Sequence, residues 1–326
     1  MMFKWQKLGI VFGPSAKWDR PWLKEFAQAP STIVFDNVVR VYFSCRPGPD
    51  KQGQYVSRTA WVDLDRFDLT RVVAVADSPV MDLGELGTFD EFGIYPFSAI
   101  KNGEEVIAFY GGWTRCQSVP FNVGIGFAKS DDQGRSFYRT GKGPILPYTP
   151  EEPFVLSGPK IRRFHGRWQL FYIAGTKWII SEGNPEPVYR IRSASSDDLI
   201  NWTRSSHDLI PFRIEENEAQ ASPDVFFSHG RYHMFFCYRY SEGYRGKDFG
   251  YRIGYATSKD LIKWERNDCK AGLDVSESGW DSEMVSYPHI LQLDGQVYMF
   301  YLGNQVGKRG FGLARLLNPD EALVDV

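Results

Sequence analysis

The most regular feature of the chain is a recurring order of apolar and polar positions. Five prolines each lead an apolar run: "APSTIVF" at Pro30, "YPFSAI" at Pro96, "GPKIRRF" at Pro159, "SPDVFF" at Pro223 and "YPHILQL" at Pro288. The intervals between them are 66, 63, 64 and 65 residues. A short polar turn follows each run ("FDN", "KNGEE", "FHGR", "SHGR", "LDGQ"), and then a second apolar run rich in aromatics. These second runs are "VRVYFSCR", "VIAFYGGW", "WQLFYIAG", "YHMFFCYR" and "VYMFYLGN". Their aromatic pair ends 13 or 14 residues after the proline in all five units. A third run comes next, as in "VGIGFAKS", "YRIRSASS" and "YRIGYATS". Aromatic and β-branched runs bounded by turn residues predict strands, and a fixed period of this size predicts a repeat architecture.

Three units add "SDDQGRSF", "SDDLINW" or "SKDLIKW" after the third strand. Ser and Asp side chains there can bond nearby backbone N–H groups while the Phe or Trp is buried beneath the turn. The first matches the Asp-box pattern S-x-D-x-G-x-x-F, read here as structural. Four antiparallel strands repeated five times make an all-β, five-bladed β-propeller. The fifth unit ends at "GFGLARLL" without a "W-x-R" fourth strand. The N-terminal "KWQKLGIVF" matches "NWTRSSHDLI" and "KWERNDCKAGL", so it is expected to close the last blade and remove an exposed edge. The expectation is one propeller domain spanning 1–326.

Composition narrows the functional classes. Aromatics make up 16% of 326 residues, with 31 Gly and 19 Pro, as many short strands and turns require. A net charge of −2 gives no basis for nucleic acid or an anionic membrane surface as partner. The four cysteines (Cys45, Cys116, Cys237, Cys269) lack C-x-x-C spacing, and no metal or other cofactor is expected. Without a secretory pattern or a long apolar span, the expected setting is the cytoplasm, as a monomer.

In a propeller the first strand of each blade lines the axis, so residues leading into it ring one mouth of the channel. The last residues of the antiparallel second strand return to that mouth. The five leads are "KEFAQAP", "FDEFGIYP", "EEPFVLSGP", "ENEAQASP" and "WDSEMVSYP", with Glu25, Glu91, Glu218 and Glu283 recurring five residues before the proline. Asp90 and Asp281 follow Phe89 and Trp280. The second strands end near Arg46, Arg115, Lys177, Arg239 and Asn304, with Trp113 and Trp178 among them. Aromatic faces with polar groups around a funnel suit a sugar ring, whose C–H faces are apolar and whose edge is polar. Cleaving a glycosidic bond needs two carboxyl groups in different protonation states. Asp90 as base or nucleophile and Glu283 as acid are therefore the expected pair, with Asp281 or Glu91 as modulator. Glu218, Arg46, Arg115, Lys177, Arg239, Trp113, Trp178, Trp280, Tyr95, His289 and Asn304 are the expected substrate contacts.

The blade period, the Pro-led inner strand, the "FYxxG" second strand and the "A-x-S-x-D-x-x-x-W" end resemble the five-bladed glycoside hydrolase superfamily that includes families 32, 43, 62 and 130. "GTFDEFGIYP", "GGW", "WDSEMVSYP" and "YLGNQVGKRGFGLA" more closely resemble a glycosylase subgroup associated with surface-polysaccharide gene clusters. The resemblance implies a carbohydrate-active enzyme. Families 32 and 43 place an Asp before the first-blade proline and a catalytic Glu in a later blade. Here the pre-proline residues are Ala29, Tyr95, Gly158, Ser222 and Tyr287, none acidic. Hydrolysis by paired carboxylates is the leading expectation. The basic residues leave open a phosphorylase or transferase acting on an anionic or activated sugar, with phosphate as co-substrate. A non-catalytic sugar-binding propeller is the third reading.

Overall fold

The structure is a computed structural model that describes residues 1–18, 20–205 and 207–324. Its strands form five four-stranded antiparallel sheets. Blade one comprises β2 (Glu25–Val34), β3 (Val38–Arg46), β4 (Arg58–Asp65) and β5 (Val72–Val75). Blade two holds β6 (Ile94–Asn102), β7 (Glu105–Arg115), β8 (Phe121–Ser130) and β9 (Tyr138–Arg139). Blade three holds β10 (Phe154–Phe164), β11 (Arg167–Ser181), β12 (Asn184–Ser196) and β13 (Thr203–Arg204). Blade four holds β14 (Ala219–Ser228), β15 (Arg231–Arg239), β16 (Arg252–Ser258) and β17 (Glu265–Arg266). In blade five β18 (Ser286–Leu293), β19 (Gln296–Leu302) and β20 (Phe311–Leu316) are joined by the N-terminal β1 (Trp5–Phe12).

β1 pairs with β20 from Trp5↔Leu316 to Phe12↔Phe311, the closure that the sequence predicts. The inner strands β2, β6, β10, β14 and β18 touch one another in ring order, β18 returning to β2. Apolar side chains fill the wedges between neighbouring blades. Phe12, Phe43, Phe300 and Phe311, for example, are nearly solvent-free where blade five meets blade one. The Asp-box turn is structural as expected. Asp132 accepts from the Arg135 and Ser136 amides, while Phe137 lies buried below.

Four of the blades are fastened by a charged contact between the loop ahead of the inner strand and the outermost strand. In blade two Arg139 donates from Nε to Asp90 Oδ2 at 2.6 Å. Arg204 bonds Glu152 in blade three, and Arg266 reaches Glu218 Oε1 at 2.7 Å in blade four. In blade five Lys7 reaches Asp281 Oδ2 at 2.7 Å. The cations are the last residues of "SFYR", "NWTR", "KWER" and "KWQK", so a basic residue two places after an aromatic supplies one half of each fastener, as "W-x-R" in blades three and four. Tyrosines of the second strand complete three of them: Tyr110 on Asp90, Tyr172 on Glu152 and Tyr301 on Asp281. "GGW" belongs to the same device. A Cβ at Gly112 would collide with the Phe89 ring and lie 2.6 Å from Asp90 Cβ, so only glycine lets that loop close down.

Candidate functional site

The pairing of every inner strand with its neighbour slips near its proline. The breaks fall at Gln28/Ser31, Ile94/Phe97, Ser157/Lys160, Ala221/Asp224 and Ser286/His289. Four of the pre-proline residues sit in the left-handed region: Ala29 (φ 51°), Gly158 (φ 61°), Ser222 (φ 50°) and Tyr287 (φ 52°). For non-glycine residues that conformation costs on the order of 1–3 kcal/mol, and such strain gathers at functional sites. A bulge re-aims a side chain, and here it splits two sets of positions.

The residues after the prolines, Ser31, Phe97, Lys160, Asp224 and His289, pack into the axis and are nearly solvent-free. There His289 Nε2 accepts the Thr32 backbone N–H at 3.0 Å. A backbone N–H can only donate, so the imidazole proton belongs on Nδ1, which lies 2.7 Å from Asp224 Oδ2. Lys160 Nζ lies 2.9 Å from the same Nδ1 and donates to the Pro30 carbonyl at 3.0 Å. Burial, with the neighbouring Lys160 charge, holds His289 at about 3, so the ring is neutral. Burial pushes Lys160 down to about 8 against the attraction of Asp224.

Residues just ahead of the prolines, with Pro96 itself, face a cavity of about 400 Å³. Gln28, Tyr95, Gly158, Ser222 and Tyr287 line it from the inner strands. Arg46, Trp113 and Arg239 line it from the second-strand ends. Arg46 donates to Gln28 Oε1 at 3.0 Å and stacks over Phe26, while its buried Nε has no partner among the described residues. Arg239 is almost fully buried, with Nε on the Tyr251 hydroxyl at 3.1 Å and its guanidinium carbon 3.7 Å from the Tyr244 ring centre. Trp113 is held by its indole N–H on the Tyr95 carbonyl at 2.6 Å.

Of the expected site residues, the structure therefore brings Arg46, Arg239, Trp113 and Tyr95 together. The expected carboxylate pair is not assembled there. Asp90 is 0% exposed and fastened to Arg139, Tyr110 and Thr88. Glu91 caps its own loop by accepting from the Gly87 amide at 2.8 Å. Asp281 and Glu218 are the blade-five and blade-four fasteners, and Glu218 also accepts from the Arg213 and Ile214 amides. Glu283 does not line the cavity, and its backbone is tied to Asn304 Oδ1 and Arg252. Asn304 thus anchors a loop. Trp280 packs on Tyr301 at 5.0 Å, and Trp178 packs on Phe121 and Phe154. Arg115 is paired with Asp50, and Lys177 is exposed, 3.6 Å from Glu216. His289 lies inside the axial plug rather than at the mouth. Loops that carry charge for fastening converge on the same face as the cavity, which is why in sequence they look like part of a site.

Sequence reasoning missed Glu186, Tyr189, Tyr244, Arg245 and Tyr251, all of which line the cavity. Glu186 is the one carboxylate lining it among the described residues. It accepts from Tyr244 Oη at 3.0 Å and pairs with Arg245 Nη2 at 2.8 Å. The available signal was length: β11 and β12 have 15 and 13 residues, and their long hairpin brings Glu186, Pro187 and Tyr189 to the cavity.

No family model matches the chain. Two proteins of Mycobacterium tuberculosis do match: MT1551 of strain CDC 1551 / Oshkosh and Rv1502 of strain ATCC 25618 / H37Rv, each bearing the description "Uncharacterized protein". Each is 32% identical over 315 residues, covering 96% of this chain and 99% of its own length. The chain belongs to their family. Beyond the Rv1502 family, similar solved structures include the GH43_1 enzyme from Xanthomonas citri complexed with xylose, with TM-score 0.62 and 16% identity over 93% of this chain and 91% of that one. A thermostable family-43 glycoside hydrolase gives 0.66 and 14% over 90% and 88%. A structure from the GH130 family of mannoside phosphorylases, described as containing glycoside hydrolases that target β-1,2 mannosidic linkages in Candida mannan, gives 0.67 and 12% over 97% and 94%. At these identities the likeness establishes the shared five-bladed fold.

Proposed function

We propose that this member of the Rv1502 family is a carbohydrate-active enzyme of glycosidase type, working in the axial cavity on a sugar that carries an anionic group. The carrying observation is the lining itself. Aromatic side chains (Trp113, Tyr95, Tyr287) and arginines (Arg46, Arg239) meet where the bulges of all five inner strands converge. Aromatic faces bind the apolar faces of a pyranose, tyrosine hydroxyls bond its edge, and a guanidinium fork matches a carboxylate or phosphate. The glycoside hydrolases among the structural neighbours support the same reading. Transfer to phosphate is a second reading, favoured by the unpartnered Arg46 Nε and by the single cavity carboxylate, since a phosphorylase needs only one protein acid. Calorimetric titration with glucuronate, glucose 1-phosphate and neutral glucose tests the proposal. The anionic sugars should bind at least tenfold tighter than glucose, and Trp113→Ala should weaken all three. Equal binding of all three, or none of any, would overturn it.

A further inference from the structure

Glu186 stands outside the repeat that accounts for four other buried acids. Asp90, Glu152, Glu218 and Asp281 each meet a cation from the outer strand of their own blade. Glu186, on β12 of blade three, instead meets Tyr244 and Arg245, which lie between β15 and β16 of blade four. The contact therefore bridges two blades at the cavity wall, and Glu186 is the one carboxylate lining the cavity among the described residues. The Tyr189 and Tyr251 hydroxyls bond each other at 2.8 Å and have no such base. Among the described cavity residues Tyr244 alone joins a phenol to a carboxylate, with the Arg239 cation against its ring.

Resting on the carbohydrate reading above, we infer that Tyr244 is the nucleophile of this cavity, Glu186 its base, and a glycosyl phosphate or diphosphate the class of substrate. Glu186, the one carboxylate lining the cavity among the described residues, accepts from the Tyr244 hydroxyl, so this phenol is the group it can deprotonate, and tyrosine serves as nucleophile in some glycosidases. In the first step the Tyr244 oxygen bonds to the anomeric carbon while its proton passes to Glu186. The bond from that carbon to the phosphoryl oxygen breaks, and the phosphate departs with the electron pair. A phosphate leaves as an anion and needs no protonation, which fits a cavity with a single carboxyl group. Arg46 neutralises the charge. In the second step water attacks the anomeric carbon from the vacated side. The Tyr244 oxygen leaves with its electron pair, recovers the proton from Glu186, and the water's remaining proton passes to solvent. Two displacements give net retention. Burial pushes the Tyr244 phenol well above its ordinary range while the Arg239 charge opposes this, so proton removal is coupled to attack rather than preceding it.

The test uses the full chain and 2-deoxy-2-fluoroglycosyl fluorides of the D-gluco, D-manno, D-galacto and D-glucurono series, whose fluoride also leaves as an anion. Intact mass and peptide mapping should find one glycosyl adduct, on Tyr244. Tyr244→Phe should form none, and Glu186→Gln should form it at least 100-fold more slowly, both retaining the wild-type melting temperature within a few degrees. Parallel assays with glucose 1-phosphate and UDP-glucose read release of phosphate or of nucleotide and distinguish the two sources of the leaving group. Binding of these probes without an adduct, or an adduct on any other residue, would overturn the inference and leave the carbohydrate reading standing. Absence of binding by every probe would overturn both.

Discussion

Arg139 Nε lies 2.6 Å from Asp90 Oδ2, and this contact between the outermost strand of blade two and the loop ahead of its innermost strand holds a blade together. Asp90 has no solvent exposure, and Arg139 is about one-fifth exposed. Removing one partner strands the other. Asp90→Ala is expected to lower stability by about 3–5 kcal/mol, measured by urea denaturation. The protein that remains folded should bind sugars as the wild type does. Unchanged stability with lost turnover on a verified substrate would return Asp90 to a catalytic role.

Arg46 lines the cavity with a buried Nε that has no partner among the described residues. Arg46→Ala should weaken binding of an anionic sugar by about 10- to 100-fold, the worth of a charge-assisted hydrogen bond of about 1.5–3 kcal/mol. Arg46→Lys keeps the charge but loses the planar fork and should recover only part of this. Titration calorimetry with glucuronate checks both, and a Kd unmoved by either substitution would remove Arg46 from the binding surface.

The axial plug makes stability depend on pH. His289 titrates at about 3 in the fold and His233, also buried, at about 4, against an ordinary value of 6.5. Between those limits the unfolded chain binds protons that the native chain does not, so stability falls on acidification. Asp224, held well below the usual carboxylate range despite its burial by Arg162, Lys160 and His289, loses its contribution in turn below about pH 4. His289→Gln should reduce the slope of unfolding free energy between pH 6 and pH 4 by about 1.4 kcal/mol per pH unit. Denaturant midpoints across that range read the slope, and an unaltered slope would mean that native His289 binds its proton as readily as the unfolded chain does.

Deleting residues 1–12 removes β1 together with Lys7, the cation of the blade-five fastener. The exposed β20 edge and the unpaired, buried Asp281 should leave the chain aggregated or unfolded at 37 °C. A truncated chain that melts with the full-length one, followed by far-UV circular dichroism, would show that β1 is dispensable.

The fold was legible because each propeller blade repeats the same burial problem, and Pro30, Pro96, Pro159, Pro223 and Pro288 mark its solutions at nearly constant spacing. The candidate site was legible only where position alone decides it. Second-strand ends must return to the mouth, which located Arg46, Arg239 and Trp113. The matched acids misled because a symmetric ring also repeats its fasteners. Asp90 and Asp281 recur for the same reason that Arg139 and Lys7 do. Glu186 and Tyr244 recur nowhere, so no period could reveal them. Their meeting depends on the long β11–β12 hairpin of one blade and the β15–β16 loop of the next, whose lengths, not motifs, bring them together.

The pairing of β1 with β20 also dictates an order of events on the ribosome. Lys4 and Asn318, joined by a hydrogen bond, are 314 residues apart, so β1 leaves the ribosome long before its partner strand exists. Until then β1 is an open edge. Each earlier blade can zip from neighbouring hairpins as it emerges, whereas the ring locks only once β20 is out. A chain stalled before β20 would be left with blades but no circle, and with Trp5 and Phe12 displayed to whatever chaperone reaches them.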